Sequence, residues 1–149
     1  MSNNYIPFYI QTQTITQTQR KVRSDKCRDI KFPVTKEEQI RLKSACKLAD
    51  YRYKQLRGNI QKLTQTRFNT LLLKYALNNE RIINWNRSYV DSKVYMHTKP
   101  NEEEYKTIGG PYGISITRAI SDRKSVYCLV ISALEIFEQK GEIRNEFLS

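Results

Sequence analysis

Asp29-Ile30-Lys31-Phe32-Pro33-Val34-Thr35-Lys36-Glu37-Glu38 joins two different periodicities without a linker between them. Ile30, Phe32 and Val34 alternate with Asp29, Lys31 and Pro33, which predicts a strand of about six residues with one apolar face and one outward face. Thr35 then opens Thr-Lys-Glu-Glu, where the threonine hydroxyl accepts from the third helical amide and Glu38 reaches back. A helix therefore follows the strand at once. Leu42, Ala45, Cys46, Ala49, Tyr53 and Leu56 continue it at three- and four-residue spacing, with Arg41, Lys43, Lys47, Lys54 and Arg57 elsewhere around the axis and Gly58 as the stop. A connector, Asn59 to Leu63, leads to Thr64 as an N-cap, after which Phe68, Leu71, Leu72, Tyr75 and Ala76 trace a second apolar stripe ending around Asn78 and Asn79.

So short a strand needs a partner, and the chain contains the pattern a second time. Val94, Met96 and Thr98 alternate with Lys93, Tyr95 and His97; Lys99-Pro100-Asn101-Glu102 then places Pro at a helix start with acids in the first turn. Asp122, read as a cap, precedes Val126, Leu129, Val130, Ala133 and Leu134, the spacing that follows Thr64. Gly109-Gly110-Pro111-Tyr112-Gly113 breaks the intervening helix after about two turns. Ile114 to Ile120 reads either as part of a tandem unit or as a loop and an extra strand. In the second case the first unit pairs between chains, beside a separate carboxy-terminal interaction domain.

Alternating strand, Thr-x-Glu-Glu box, amphipathic helix and capped second helix make Asp29 to Asn79 resemble the ribbon-helix-helix (MetJ/Arc-type) DNA-binding family. The likeness covers about a third of the chain, and the first helix is longer than the family norm. It implies an α+β, mainly helical fold: a tandem pseudo-dimer with a two-stranded antiparallel ribbon and a helical core. The organisation expected is an arm (1–28), a first unit (29–79), a linker (80–92) in which Trp85 is a packed anchor, and a second, divergent unit (93–149). The resemblance also implies that outward ribbon side chains read base edges in the major groove. Carried onto this chain the readers are Lys31 foremost, then Asp29, Lys93, Tyr95 and His97, with Pro33 on the same face. A phosphate anchor at the start of each second helix falls to Thr64, Thr66 and Arg67, and to Asp122, Arg123, Lys124 and Ser125.

Charge points the same way. The formal +11 lies in residues 1–74, with sixteen Lys or Arg against five Asp or Glu, while residues 75–149 hold ten of each. A concentrated positive field suits a polyanion, because each phosphate neutralised releases condensed counterions. Gln11 to Gln19 alternates Gln and Thr, as a mobile arm or as a polar edge strand, and Arg20, Lys21 and Arg23 begin a basic stretch suited to phosphate contacts. The run Glu102-Glu103-Glu104 and the later Glu135, Glu138, Glu142 and Glu146 make the second half a poorer polyanion binder. It is expected to complete the ribbon and to offer a surface to another copy or another protein.

No run of eighteen apolar residues exists for a membrane span, and Met1 to Ile10 lacks the features of an export signal, which predicts a cytoplasmic protein. Cys27, Cys46 and Cys128 are odd in number and far apart, which speaks against a disulfide framework or a zinc site; Cys46 and Cys128 read as core. One histidine, no glycine-rich phosphate loop and no Cys/His pair leave no catalytic constellation, and neither cofactor nor metal is called for. The expectation is a DNA-binding regulator of a mobile element that self-associates on double-stranded DNA. The alternatives are an accessory protein of plasmid processing and a module that binds an acidic protein.

Overall fold

The alternating segment around Phe32 forms β1 (Ile30–Pro33), and its partner comes from the same chain. Strand β2 (Tyr95–Thr98) runs antiparallel to it, with Ile30 opposite Thr98, Lys31 opposite His97, Phe32 opposite Met96 and Pro33 opposite Tyr95. Backbone bonds from Arg28 N to Pro100 O (3.0 Å) and from Val34 N to Val94 O (2.8 Å) carry the pairing beyond the ladder at both ends. The computed structural model describes residues 28–57 and 62–140. Helices α1 (Lys36–Arg57) and α2 (Gln65–Leu77) follow β1, and a 3-10 turn (Glu80–Ile82) precedes β2. After β2 come α3 (Glu102–Gly109), α4 (Ile114–Arg118) and α5 (Asp122–Lys140). The protein is thus mainly helical with one small antiparallel sheet among the described residues.

Both strands hand over to their helices by the same device. Thr35 N donates to Glu38 Oε1 at 2.9 Å and Glu38 N donates to Thr35 Oγ1 at 3.0 Å. Asn101 N donates to Glu104 Oε1 at 2.9 Å and Glu104 N donates to Asn101 Oδ1 at 2.8 Å. Each reciprocal pair satisfies two amides that a helix start leaves open. Helix α3 accordingly begins after Asn101, and Pro100 lies one residue outside the cap. Thr64 caps α2 by accepting from Arg67 N at 3.2 Å. The matching cap of α5 is Ser121, whose Oγ accepts from Lys124 N at 3.0 Å, and Asp122 is the first helical residue instead of the cap.

From Ser125 to Leu134 every residue of α5 is buried. A helix with no polar face must be surrounded. Phe68 of α2 meets Phe137 edge to face at 5.5 Å between ring centroids, and α1 approaches through the Tyr127 hydroxyl, which donates to Glu38 Oε2 at 2.6 Å. Arg41 adds a two-pronged bond to Glu138, at 2.9 and 2.6 Å. The strands close the remaining sides crosswise: α5 packs on β1, while α2 packs on β2 and on α5. Each half thus covers the strand of the other, and Ile30, Phe32, Leu72, Met96, Ile108 and Leu129 belong to one core. Neither four-residue strand has independent stability, so this exchange is what holds the ribbon.

Residues 80–92 are fastened to α5. Ile83 is buried, Asn84 N donates to Ser132 Oγ at 3.1 Å, and Arg87 donates to both Glu135 and Ser132. Trp85 packs on the core beneath the Arg118 guanidinium, 4.2 Å from the ring centroid. At the break after α3 the backbone passes so close to itself that a Cβ on Gly110 would lie 2.5 Å from Lys106 O, and one on Gly113 2.6 Å from Ile108 O. Only glycine fits there. Beyond it Ile114–Arg118 is helical, not the extra strand its apolar run allowed, because Ile114 and Ser115 turn inward together and Ser115 Oγ meets Ser125 Oγ at 2.9 Å. Cys46 and Cys128 are buried, and burial pushes both thiols up. Gly58 and Cys27 lie outside the described residues, as do residues 1–26 of the expected arm and the carboxy-terminal Glu142 and Glu146, whereas Arg28, expected as the end of the arm, already pairs with Pro100 across the ribbon. No helix among the described residues is long and apolar enough to cross a membrane.

Candidate nucleic-acid interface

Strand alternation sorts the ribbon into two faces. Ile30, Phe32, Val34, Met96 and Thr98 are buried, while Asp29, Lys31, Tyr95, His97 and Lys99 stand on the other side, exposed or half-exposed. The intrachain register brings four of the expected readers together on that face. His97 Nδ1 lies 3.3 and 3.2 Å from the two Asp29 carboxylate oxygens. Lys31 Nζ sits over the Tyr95 ring, 4.5 Å from its centroid, and the Arg123 guanidinium of α5 approaches the same ring at 5.6 Å. Ring faces attract cations, so Tyr95 holds two positive groups at the ribbon surface.

The Tyr95 hydroxyl is committed elsewhere. It donates to Asp91 Oδ1 at 2.8 Å, which pushes the phenol up and holds the Asp91 carboxyl below the usual carboxylate range, helped by the Lys93 backbone amide. Tyr95 therefore offers a ligand its ring, not its O–H. Lys93 departs from the expectation of a strand residue: it stands off the ladder in a left-handed conformation (φ 65°), its ammonium 3.4 Å from Asp91 Oδ2. Pro33 departs too, being buried. Arg28 and Val34 donate across the ribbon, so Pro33 falls on an intervening position whose amide would point away from β2, and no ladder bond is lost.

The two second helices flank this face. At the start of α2, Thr64 and Arg67 are exposed and Thr66 is half-buried. That end is tied to β2 by buried Asn69, whose Nδ2 donates to His97 O at 3.0 Å while its Oδ1 accepts from Gln65 Nε2 at 2.9 Å. Thr70 Oγ1 accepts from Lys99 N at 2.9 Å. Two backbone groups on the outer edge of β2 and just after it, His97 O and Lys99 N, are thus taken up by α2. At the start of α5, Arg123 is exposed and Lys124 half-buried, but Ser125 is buried and its hydroxyl donates to Ser121 O at 3.0 Å. Its assignment to phosphate is corrected: helical rotation from the cap turns position 125 into the core. Arg20, Lys21 and Arg23 lie outside the described residues.

Several residues of the site escaped the sequence reading. Lys99 shares the parity of Tyr95 and His97, and Asn69 sits between Phe68 and Leu72 as a polar residue on an apolar stripe, so both carried a signal. Asp91 carried none, because only the turn at Lys93 brings its carboxylate to Tyr95. The arrangement can present amine, guanidinium, imidazole, carboxylate and aromatic groups from a strand pair narrow enough for a major groove about 12 Å wide. Helix starts on either side add open amides that favour phosphate. Compared with protein-family models, with curated proteins and with solved structures, the chain finds no match.

Proposed function

We propose that this protein binds double-stranded DNA sequence-specifically, as two ribbon-helix-helix units in one chain, and serves as a transcriptional regulator, a repressor, of a plasmid, phage or other mobile element. The β1–β2 ribbon lies in the major groove. Lys31 donates to acceptors on guanine and Asp29 accepts from an exocyclic amine; Arg123, expected as a phosphate contact, leans over the Tyr95 ring and is proposed instead as a second donor beside Lys31. Thr64, Thr66, Arg67 and Lys124 hold the flanking phosphates and set the register without reading sequence. The observation that carries this reading is the intrachain pairing of Lys31 with His97, which gathers Asp29, Lys31, Tyr95 and His97 on one exposed face. Repression asks for nothing beyond such an interface, since a tightly bound protein excludes competitors from the same duplex.

Selection of bound duplexes from a random pool, followed by salt titration on an enriched and a scrambled sequence, tests the proposal. Enrichment of a short motif, bound far more tightly than scrambled DNA and with affinity falling steeply as salt rises, is the expected result. Failure to retain DNA overturns it. A second reading, as an accessory DNA-binding protein of plasmid processing, is favoured by exposed Tyr112 and Ile116 at the α3–α4 turn, apolar surface suited to a protein partner. Tyr112→Ser with Ile116→Ser would then impair plasmid transfer or maintenance while DNA affinity is unchanged.

A further inference from the structure

The two capping boxes define an internal equivalence, Thr35 with Asn101 and Glu38 with Glu104. The same offset carries Lys31 onto His97, Asp29 onto Tyr95 and Pro33 onto Lys99. Lys31 and His97 are also register partners, so the approximate two-fold axis of the ribbon passes between them. Under that axis the diagonal from Lys31 to Tyr95 maps onto the diagonal from His97 to Asp29. Both diagonals exist, and they carry opposite chemistry: an ammonium over an aromatic ring on one side, an imidazole against a carboxylate on the other.

We infer that the duplex site read by this ribbon is asymmetric, and that one chain binds it in a single orientation. The inference rests on the groove-binding reading above. The Lys31–Tyr95 half, joined by Arg123, presents donors and suits guanine O6 and N7; the Asp29 carboxylate presents acceptors and suits a cytosine or adenine amino group. A palindrome offers the same pattern to both halves, so one half always meets a mismatched edge. The flanking helix starts are also unlike each other, since α2 has no acid in its first turn while α5 begins with Asp122.

The test begins with the motif enriched from random duplexes by the full chain. It is expected to lack internal two-fold symmetry. Two palindromic duplexes, each built from one half of that motif written twice, should bind at least about tenfold more weakly than the motif itself, the factor lost with one or more base contacts. The double variant Asp29→Tyr with His97→Lys copies the Lys31–Tyr95 diagonal onto the other half; both replaced side chains are 48% exposed, and thermal unfolding checks that the fold is kept. Its enriched motif should carry the bases read by Lys31 and Tyr95 on both sides of the ribbon axis. A palindromic motif from the unaltered protein, or equal affinity for the palindromes, overturns the inference and leaves DNA binding intact. A folded double variant that keeps the original motif overturns the assignment to these two diagonals. Absence of any enriched motif overturns the proposed function and this inference with it. The palindrome measurements need no variant and decide the symmetry even where the double variant fails to fold.

Discussion

Lys31 and His97 face each other across the ribbon, yet each leans away from its register partner, Lys31 to the Tyr95 ring and His97 to the Asp29 carboxylate. Diagonal neighbours on paired strands lie within reach of long side chains, so each central residue is held by the opposite strand. The face is arranged before any ligand arrives, which lowers the ordering cost of binding.

Lys31→Ala should weaken binding to the enriched duplex by about 1 to 3 kcal/mol and leave scrambled DNA nearly unaffected. Titration of both duplexes at one salt concentration checks this. Equal losses on the two would make Lys31 a phosphate contact.

Tyr95 separates ring from hydroxyl. Tyr95→Phe keeps the platform for Lys31 and Arg123 but frees Asp91, so DNA affinity should stay near that of the unaltered protein while the Asp91 carboxyl rises toward its ordinary value in a carbon-detected NMR titration. Tyr95→Ala should lower affinity for the enriched motif. A large loss in Tyr95→Phe would mean that the hydroxyl leaves Asp91 for a base.

Asn69→Leu removes the donor to His97 O and the acceptor for Gln65 at a fully buried position. The stranded carbonyl should cost about 1 to 3 kcal/mol, seen as a lower urea midpoint at unchanged slope.

Asp50 gives the pH dependence. Its carboxylate accepts from Leu63 N at 2.9 Å and lies 3.4 Å from Lys54 Nζ, and the Leu63 amide foremost holds the carboxyl below its usual range. A folded-state value below the unfolded one stabilises above the ordinary carboxyl range and is lost as pH falls through it. Asp50→Asn should therefore cost about 1 kcal/mol at neutral pH, with the gap from the unaltered protein closing as pH drops below about 3.9. A gap constant with pH would place the effect in packing.

A fragment ending at Asn79 tests the interlocked core. Without β2 and α5 it leaves Phe68 and Leu72 uncovered and β1 unpaired. It should be unfolded when dilute, by far-ultraviolet circular dichroism, and gain structure only as concentration rises. Folding independent of concentration would show the amino-terminal half to be a domain by itself.

Residues whose conformation depends on near neighbours were legible in the sequence. The alternation of Ile30, Phe32 and Val34 and the box from Thr35 to Glu38 each need only a few residues and appear where expected, in a strand of four residues; the α2 stripe keeps Phe68, Leu72 and Ala76 but buries Asn69 and Leu73 beside them, while Leu71 and Tyr75 are half-buried. Ser121, Asp91 and the inward turn of Ser125 depend on where a chain segment goes next, and these were misplaced or missed.

By itself the sequence determined the positions of the two strands, the sides taken by Ile30, Lys31, Phe32, Tyr95, Met96 and His97, helices α1, α2, α3 and α5, and the gathering of positive charge in residues 1–74, because backbone hydrogen bonding, capping and side-chain period are local properties. Only the tertiary structure decided that β1 pairs with β2 of the same chain, that α2 and α5 exchange strands, and that Lys31 meets Tyr95 while His97 meets Asp29. Those facts follow from burying α5 on all sides at once. That demand is met by residues far apart in the chain, and no local window contains it.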